Sequence, residues 1–424
     1  MTQHFSDRSL LKRRQVLQGA TGFGAALLLS KLAGCTTTTD NGTDATPTAG
    51  DTGSAAAGDP IKLGLVAAIT GPSAVSGEAI TRGLTLALED INAQGGVMGG
   101  RPLELVIRDD ESTPAKGVAA ARELIEKEQV ALVFGGLDSP VSLAMLPVFH
   151  ELEVPYMGVW AAATGITRND FDPNYAFRVS ANDNIVDSFL LRYAKNELGA
   201  TKVGLVLINN PWGESNQMGF EEWAPKYDME IVGIEKFNDG DTDISPQLSR
   251  LQDGGAEVLL MVANAAPSAQ AMKSLVRLGW DVPVVSHWGP TGGRFPELAG
   301  EDAAARVVLM QTYSFYDAED ERSKALLGQL EEKYGVAGPE DIIAPVGVAN
   351  AYDAMNLVAL ALDTAATTEG PVLRESFYEL PVYEGLIKTY DNAFSPDNHD
   401  ALTEDDYILV QWQDNKLVPF KGTI

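Results

Sequence analysis

The chain has 424 residues and a formal net charge of −28, with 31 basic and 59 acidic residues. Such an acidic balance argues against binding to nucleic acid and against charge-driven binding to anionic lipid head groups. The length suffices for two domains, and with 45% hydrophobic residues a sizeable core is expected.

Residues 1–34 are predicted to be an export signal. The basic run Lys12-Arg13-Arg14 precedes an apolar stretch, Gly19 to Leu29, that is too short to span a bilayer. This arrangement resembles a twin-arginine signal, and Leu32-Ala33-Gly34-Cys35 resembles a lipobox. Cys35 is the only cysteine, so it is expected to carry the lipid that anchors the mature chain in the periplasm or at the cell surface.

Residues 35–59 are predicted to be a lipidated, flexible tether. After Cys35 this segment consists of Thr, Asp, Asn, Gly, Ala, Ser and Pro, without a bulky apolar side chain. It cannot bury enough surface to offset the entropy lost on ordering. The folded part of the chain is therefore expected to begin near Pro60.

From residue 60 onward, short apolar runs alternate with amphipathic segments. In the first half, strands are predicted at 61–66, 103–107, 130–134 and 156–159, and helices at 80–91, 114–128 and 139–152. The pattern restarts after Phe177-Arg178-Val179, with strands at 203–208, 230–236, 258–262, 282–285 and 407–413, and helices at 185–198 and 265–278. This alternation predicts an α/β fold of two doubly wound, parallel-sheet lobes, with a cleft walled by the loops at the strand ends.

One stretch carries a specific resemblance. Ile69 to Arg108 reads ITGPSAVSGEAITRGLTLALEDINAQGGVMGGRPLELVIR, and it closely resembles the opening of the leucine/isoleucine/valine-binding family of type I periplasmic binding proteins. Shared features are the T-G-P turn, the glycine-punctuated helix and the I-N-A-x-G-G-V-x-G-x-R loop. Asp109-Asp110-Glu111 and Gly135 to Val148 continue the resemblance, which covers nearly all of residues 60–424.

The resemblance implies a Venus-flytrap receptor with a hinge and an interlobe cleft. The chain of such a receptor crosses the hinge three times, here expected near 177–182, 311–316 and 384–392. The predicted domains are therefore 60–178 plus 316–384 for lobe 1, and 179–315 plus 385–424 for lobe 2.

The function implied is that of a solute-binding lipoprotein of an ABC importer. It would bind a branched-chain amino acid or a similar small ligand, and its partners would be permease and ATPase subunits in the membrane. The same fold also serves ligand sensors that dock on a membrane receptor, and this interpretation stays open.

A carboxylate site is implied at Ser139. Ser139 follows Gly136-Leu137-Asp138 and opens a predicted helix, whose first N–H groups and dipole favour an anion. A capping role for Ser139 is compatible with ligand binding. If Asp138 pointed into the cleft, it would repel a carboxylate.

Further site residues are carried over from the family by position. The turn Trp160-Ala161-Ala162 is expected to offer backbone groups to the ligand; its alanines keep the backbone approachable, but Ala162 lacks the hydroxyl that relatives can carry there. Trp212 is expected to close over the ligand. The remaining candidates are Trp288, which occupies or adjoins the place of an acid that holds the α-ammonium, and Tyr313 and Tyr316 at the second crossing.

These residues leave the chemistry of the ligand open. The apparent loss of the acid at Trp288, together with the apolar walls of Trp160 and Trp212, suits an apolar or aromatic carboxylate. The alternative is an amino acid whose ammonium meets a tryptophan face or Glu214.

No enzymatic constellation is recognisable in the sequence. The four histidines, His4, His150, His287 and His399, lack metal-ligand spacing, and there is no G-x-S-x-G elbow or P-loop. We therefore expect no catalytic residue, no metal and no cofactor.

Overall fold

The computed structural model describes residues 58–316 and 318–421. The predicted export signal, Cys35 and nearly all of the predicted tether lie outside these residues. The described residues form one compact unit. None of their helices is both long enough and apolar enough to cross a membrane.

The strands build two large sheets and one short ladder. Their bounds are β1 Ile61–Ala67, β2 Leu103–Asp109, β3 Val133–Gly135, β4 Tyr156–Gly158, β5 Ala176–Arg178, β6 Lys202–Ile208, β7 Glu230–Phe237, β8 Val258–Val262, β9 Val284–Ser286, β10 Val307–Gln311, β11 Tyr383–Glu384, β12 Thr389–Tyr390, β13 Ile408–Gln413 and β14 Lys416–Pro419.

Twelve α-helices are interspersed with these strands in the described part of the chain. Their bounds are α1 Ala74–Ala93, α2 Pro114–Glu126, α3 Ser139–Glu151, α4 Asp183–Asn196, α5 Pro211–Trp223, α6 Ser245–Asp253, α7 Ala265–Leu278, α8 Phe295–Ala299, α9 Glu301–Ala304, α10 Glu321–Tyr334, α11 Pro345–Ala365 and α12 Gly370–Ser376. Short 3₁₀ segments lie at Thr164–Ile166, Ala224–Tyr227, Gly289–Gly292, Pro339–Asp341, Phe377–Glu379 and Glu404–Asp406.

The first sheet has the order β2-β1-β3-β4-β5 and is parallel throughout. Helices α1 and α11 cover one face, and α2 and α3 cover the other. Burial of both faces explains why β1 is apolar along nearly its whole length rather than alternating. We call this sheet with its helices the first lobe.

The glycines of α1 allow close packing in the first lobe. A Cβ added at Gly83 would collide with the carbonyl oxygen of Val348 on α11, and one at Gly77 would collide with that of Ala68. Only glycine therefore permits the approach of α1 to α11 and to the end of β1, which accounts for the glycine-punctuated helix in the sequence.

The second sheet has the order β14-β13-β10-β9-β8-β6-β7 and forms the second lobe with the helices packed on it. Strands β6 to β10 pair in parallel, whereas β13 pairs with β10 and β14 pairs with β13 in antiparallel fashion. The parallel strands confirm the predicted fold class. Strands β13 and β14 add an antiparallel edge to this sheet.

Most predicted elements are present, with shifted ends. Residues 258–262 and 265–278 match β8 and α7 to the residue. The strand predicted at 130–134 is shorter, because β3 begins only at Val133 and the N–H of Val130 donates back to Leu124 at the end of α2.

The third passage between the lobes lies later than the sequence interpretation placed it. The chain stays on the first lobe as far as Asp400, which forms a parallel bridge with Arg178 of β5. The ring of His399 is also bonded to the carbonyl of Ala176 at 2.8 Å. The passage therefore falls between Ala401 and β13, not at 384–392, because a buried contact distant in sequence holds this segment on the first lobe.

Candidate ligand-binding site

The carboxyl ends of the strands in both sheets face a common cleft. In the first lobe, the turn after β3 carries Asp138 and Ser139, and the turn after β4 carries Trp160 and Ala162. In the second lobe, the ends of β6, β8 and β9 present polar and aromatic side chains, namely Asn210, Trp212, Asn264 and Trp288. Ligands of open α/β sheets bind at such strand ends.

A cavity of about 450 Å³ lies between the lobes. Its volume is within the range of small-molecule sites. The residues that line it are Pro72, Ser73, Glu111, Ser112, Asp138 and Pro140 of the first lobe, and Ile208, Asn210, Trp212, Asp239, Asn264, Ala265, Ala266, Pro267 and Gly292 of the second lobe. A groove of about 830 Å³ adjoins the cavity and shares Pro72 and Ala266 with it.

Deeper in the cleft, the cavity narrows to a space of about 10 Å³. We call it the inner space; it is lined by Leu137, Asp138, Ser139, Pro140, Trp160, Ala162, Asn210, Trp212, Asn264 and Trp288. Such a volume holds at most one water molecule. A ligand that reaches the inner space therefore requires the lobes to separate.

The contacts between the lobes in this structure include two hydrogen bonds and one ring contact. The amide Nδ2 of Asn264 donates to Oδ1 of Asp138 at 3.1 Å. The N–H of Thr164 donates to Oγ of Ser215 at 3.0 Å. The rings of Trp160 and Trp288 meet edge to face at 6.1 Å. The cleft is therefore closed.

Ser139 is buried at the start of α3. Its Oγ accepts a hydrogen bond from the N–H of Ala163 at 3.1 Å. The hydroxyl proton remains available to donate to a ligand oxygen. The N-cap position belongs to Asp138, which makes no side-chain capping bond.

Trp160 is 0% exposed and spans from the helical layer to the cleft. The Cε3–Cζ3 edge of its ring lies against α11 at Gly347. The indole nitrogen Nε1 is on the opposite edge, and it is shielded from solvent without a hydrogen-bond partner among the described residues.

Trp212 and Trp288 are held by a buried polar cluster in the second lobe. Nε1 of Trp212 donates to Oδ1 of Asp183 at 3.1 Å, and Asp183 also contacts Nε2 of His287 at 3.0 Å. The N–H of Trp288 donates to Nδ1 of His287 at 2.8 Å. Because Nδ1 accepts, the proton of the neutral imidazole is on Nε2 and points at Asp183. Asn210 caps α5 by accepting from the N–H of Trp212.

The lining of the larger cavity is acidic. Glu111, Asp138 and Asp239 line it, and no lysine or arginine is among its lining residues. Burial raises the pKa of Asp138 above its usual value, and the carboxylate of Asp239 raises it further. Lys116 forms a salt bridge with Glu111, so the acidic character of the lining comes mainly from Asp138 of the first lobe and Asp239 of the second.

The other candidates from the sequence lie elsewhere. Ala161 points into the first-lobe core, with its N–H bonded to the carbonyl of Gly136. The hydroxyl of Tyr313 donates to Ser323 at 2.6 Å. Tyr316 lines neither the cavity nor the inner space, and Glu214 is exposed outside both.

Three polar lining residues of the second lobe were not predicted as site residues: Asn210, Asp239 and Asn264. Each follows a strand of the second sheet, and Asn210 and Asn264 immediately precede a helix. The sequence contained a signal for Asn210 and Asn264, because each is a polar residue between the end of a strand and the start of a helix. Among residues 58–316 and 318–421, no group of three or more His, Cys, Asp or Glu is placed to hold a metal ion.

Comparison with known proteins places this geometry in a family. The Leu/Ile/Val-binding protein homolog 3 of Brucella melitensis is 22% identical over 359 residues, which cover 84% of this chain and 93% of that protein. A branched-chain amino acid transporter substrate-binding protein of Streptococcus pneumoniae, solved with isoleucine, superposes with a TM-score of 0.73 at 22% identity, covering 86% of this chain and 99% of that chain.

A solute-binding protein of an ABC transporter from R. palustris, solved with 4-hydroxybenzoate, has a TM-score of 0.72 at 22% identity and covers 85% of this chain and 96% of that chain. A family model for periplasmic binding proteins matches residues 60–416, which span both sheets and the cleft between them. The chain is thus a member of the periplasmic binding protein family.

Proposed function

We propose that the chain is the solute-binding component of an ABC importer and captures a branched-chain amino acid or a similar small ligand between its lobes. The observation that carries this proposal is the interlobe cavity, which is lined by strand-end residues of both sheets. The names of the relatives, a Leu/Ile/Val-binding protein and a branched-chain amino acid transporter component, support the same ligand class. The membrane partners are the permease and ATPase subunits of the importer.

An apolar or aromatic carboxylate is the second candidate ligand. The inner space is bounded by Trp160, Trp212 and Trp288, which offer ring faces and edges to an aromatic body. A solved structure of the same fold was obtained with 4-hydroxybenzoate.

Calorimetric titration tests solute capture. The ligands are L-leucine, L-valine, the 2-oxo acid of leucine and 4-hydroxybenzoate, and one ligand per chain is expected to bind. Trp212→Ala should lower the affinity for the ligand that binds by roughly tenfold or more, because a central aromatic contact is lost. Trp280→Ala is the matched control, because Trp280 lies outside the cavity lining. Equal effects of both substitutions would contradict binding in the cleft.

We further propose that lipid at Cys35 holds the receptor at the outer face of the membrane. The support is the lipobox-like sequence around the only cysteine. Mass spectrometry of membrane-extracted protein should find an acylated Cys35 as the first residue. A chain that retains residues before Cys35 would contradict the anchor.

A further inference from the structure

Four buried side-chain oxygens on helices α4 and α5 have no hydrogen-bond partner among the described residues. They are Oδ2 of Asp183, Oδ1 and Oδ2 of Asp187, and Oδ1 of Asn216. All three residues are 0% exposed. Folded proteins leave few buried polar atoms unpaired, so each of these oxygens requires an explanation.

The packing of α5 on α4 brings these oxygens together. Asp183 and Asp187 are four residues apart on α4 and share one face of it. From α5, Nε1 of Trp212 donates to Oδ1 of Asp183, and a Cβ added at Gly219 would collide with Oδ2 of Asp187. Asn216 lies between Trp212 and Gly219 on that face of α5. Its Nδ2 donates to the carbonyl of Trp212 at 3.0 Å, so Oδ1 is the part of the amide left to face the two carboxylates.

No cation of the described chain balances the two carboxylates. Oδ1 of Asp183 accepts from Trp212 and from Nε2 of His287, which is a neutral imidazole because its Nδ1 accepts from Trp288. Among the described residues, no lysine or arginine forms a salt bridge with either acid. Burial raises the pKa of Asp187 well above its usual value, and the carboxylate of Asp183 raises it further. An ionised Asp187 therefore needs a positive charge from outside the chain.

We infer that Asp183, Asp187 and Asn216 bind a calcium ion between α4 and α5. Calcium is held by carboxylate and amide oxygens, and a carboxylate can bind it through one or both of its atoms. The four unpaired oxygens are donors of this kind, and two carboxylates match the two charges of the ion. Calcium takes about six to eight oxygen ligands, so water completes the shell.

The donor set explains why the sequence did not predict this metal. The third ligand is an amide, and the described residues place no third His, Cys, Asp or Glu there. His287 is not a ligand, because its Nε2 proton points at Oδ1 of Asp183. Glycine at position 219 is a further requirement, since a side chain there would displace the carboxylate of Asp187.

The ion also acts on the cleft through Asp183. The carboxylate that offers Oδ2 to calcium holds the indole of Trp212 through Oδ1. Trp212 lines both the interlobe cavity and the inner space. Removal of calcium should therefore lower the affinity for the cleft ligand severalfold. This consequence rests on the proposed function, whereas the calcium site itself does not.

The test uses the full chain, freed of metal with EDTA and kept in potassium chloride buffer. Equilibrium dialysis against calcium chloride, with the metal measured by mass spectrometry, should find one more ion per wild-type chain than per Asp187→Asn chain. Calcium at about 100 times its dissociation constant should raise the midpoint of thermal unfolding by about 3 °C. Magnesium at the same concentration should not, because it demands a smaller, more regular shell.

Three variants separate this site from weak binding at the acidic surface. Asp187→Asn preserves the size of the side chain and removes a charge, so it should lower the calcium affinity about tenfold or more. Asn216→Leu removes the amide oxygen and should also lower it. Asp302→Asn makes the same chemical change as Asp187→Asn on the exposed side of α9, and it should leave both the affinity and the calcium-dependent rise unchanged.

A proton on Asp187 is the competing explanation of the unpaired oxygens. It predicts no rise of the unfolding midpoint with calcium and equal calcium binding by wild type and Asp187→Asn, and either result would overturn the inference. An equal rise with sodium chloride or magnesium chloride would overturn it too. None of these results bears on solute capture, which the calorimetric titrations test separately. Calcium binding that leaves the affinity for the cleft ligand unchanged would overturn the link to Trp212.

Discussion

Replacing Arg178 by methionine is expected to lower the free energy of unfolding by about 3–5 kcal/mol, since it removes the buried counter-charge of Asp400 and leaves the half-exposed Arg168 beside that carboxylate. Arg178 is 0% exposed, and its Nε and Nη2 both donate to Oδ1 of Asp400, at 2.8 and 2.6 Å. Thr167 donates to the same oxygen, and Asn182 donates to Oδ2. The pair ties the end of β5 to the segment that leaves the first lobe.

The pKa of Asp400 is lowered, so the effect of its charged and hydrogen-bonded partners on this pKa outweighs the effect of burial. Burial would raise this pKa, but the charge of Arg178 and the bond from Thr167 hold it below the usual value. A lowered carboxylate pKa contributes stability above the unfolded-state value, and the contribution is lost as the pH falls through the folded-state value. The loss of unfolding free energy caused by Arg178→Met should therefore become smaller as the pH is lowered.

Urea unfolding followed by circular dichroism measures the effect. Arg250→Met is the matched control, because Arg250 pairs with Glu235 at the surface, with 59% of its side chain exposed. It should cost less than about 1 kcal/mol. Replacing both partners, as Arg178→Met with Asp400→Leu, should recover part of the loss. Equal costs for Arg178→Met and Arg250→Met would refute the buried-pair interpretation.

Replacing Asp110 by asparagine is expected to stabilise the protein, by up to about 4 kcal/mol at pH 8. Asp110 is 2% exposed at the end of β2, and burial raises its pKa to about 7. The N–H of Ser112 donates to Oδ1 at 2.7 Å and opposes the shift, whereas the carboxylates of Asp138 and Asp109 add to it. The side-chain oxygen of an asparagine can still accept the hydrogen bond from Ser112, but the side chain carries no charge.

The sign of the pH dependence follows from the raised pKa. Below about pH 4, Asp110 is protonated in both the folded and the unfolded states, so the substitution should change little. As the pH rises through about 7, the folded state must ionise a buried group, and the penalty reaches its full size. Urea unfolding at pH 4 and pH 8 should show a gain that grows with pH, and an equal gain at both would refute this assignment.

Much of the fold could be predicted because its signals are local. β8 and α7 were predicted to the residue, since an apolar run and an amphipathic repeat need no knowledge of their partners. The passage after Asp400 could not be predicted, because it depends on an ion pair with Arg178, 222 positions earlier in the chain.

The candidate site was also predicted only in part, because some of its residues are indicated by local sequence and others depend on distant contacts. Ser139, Trp160, Trp212 and Trp288 were placed by position relative to strand ends, and all four line the inner space. The hydrogen bond between Asp138 and Asn264 of the other lobe could not be predicted, because no local sequence pattern indicates which residues meet across the cleft. Tyr316 was placed near the hinge by spacing alone, and it lies outside the lining.

The central claim is that a small solute is captured by closure of two lobes over an interlobe cavity. The bond from Asn264 to Asp138 and the contact of Trp160 with Trp288 must open to admit a ligand. A micromolar ligand supplies roughly 8 kcal/mol, which is enough to close the lobes over a modest energy gap. Small-angle X-ray scattering with and without saturating L-leucine, or whichever panel ligand binds, measures this directly. The radius of gyration should fall when the ligand is added, and an unchanged radius with a saturated site would contradict the account.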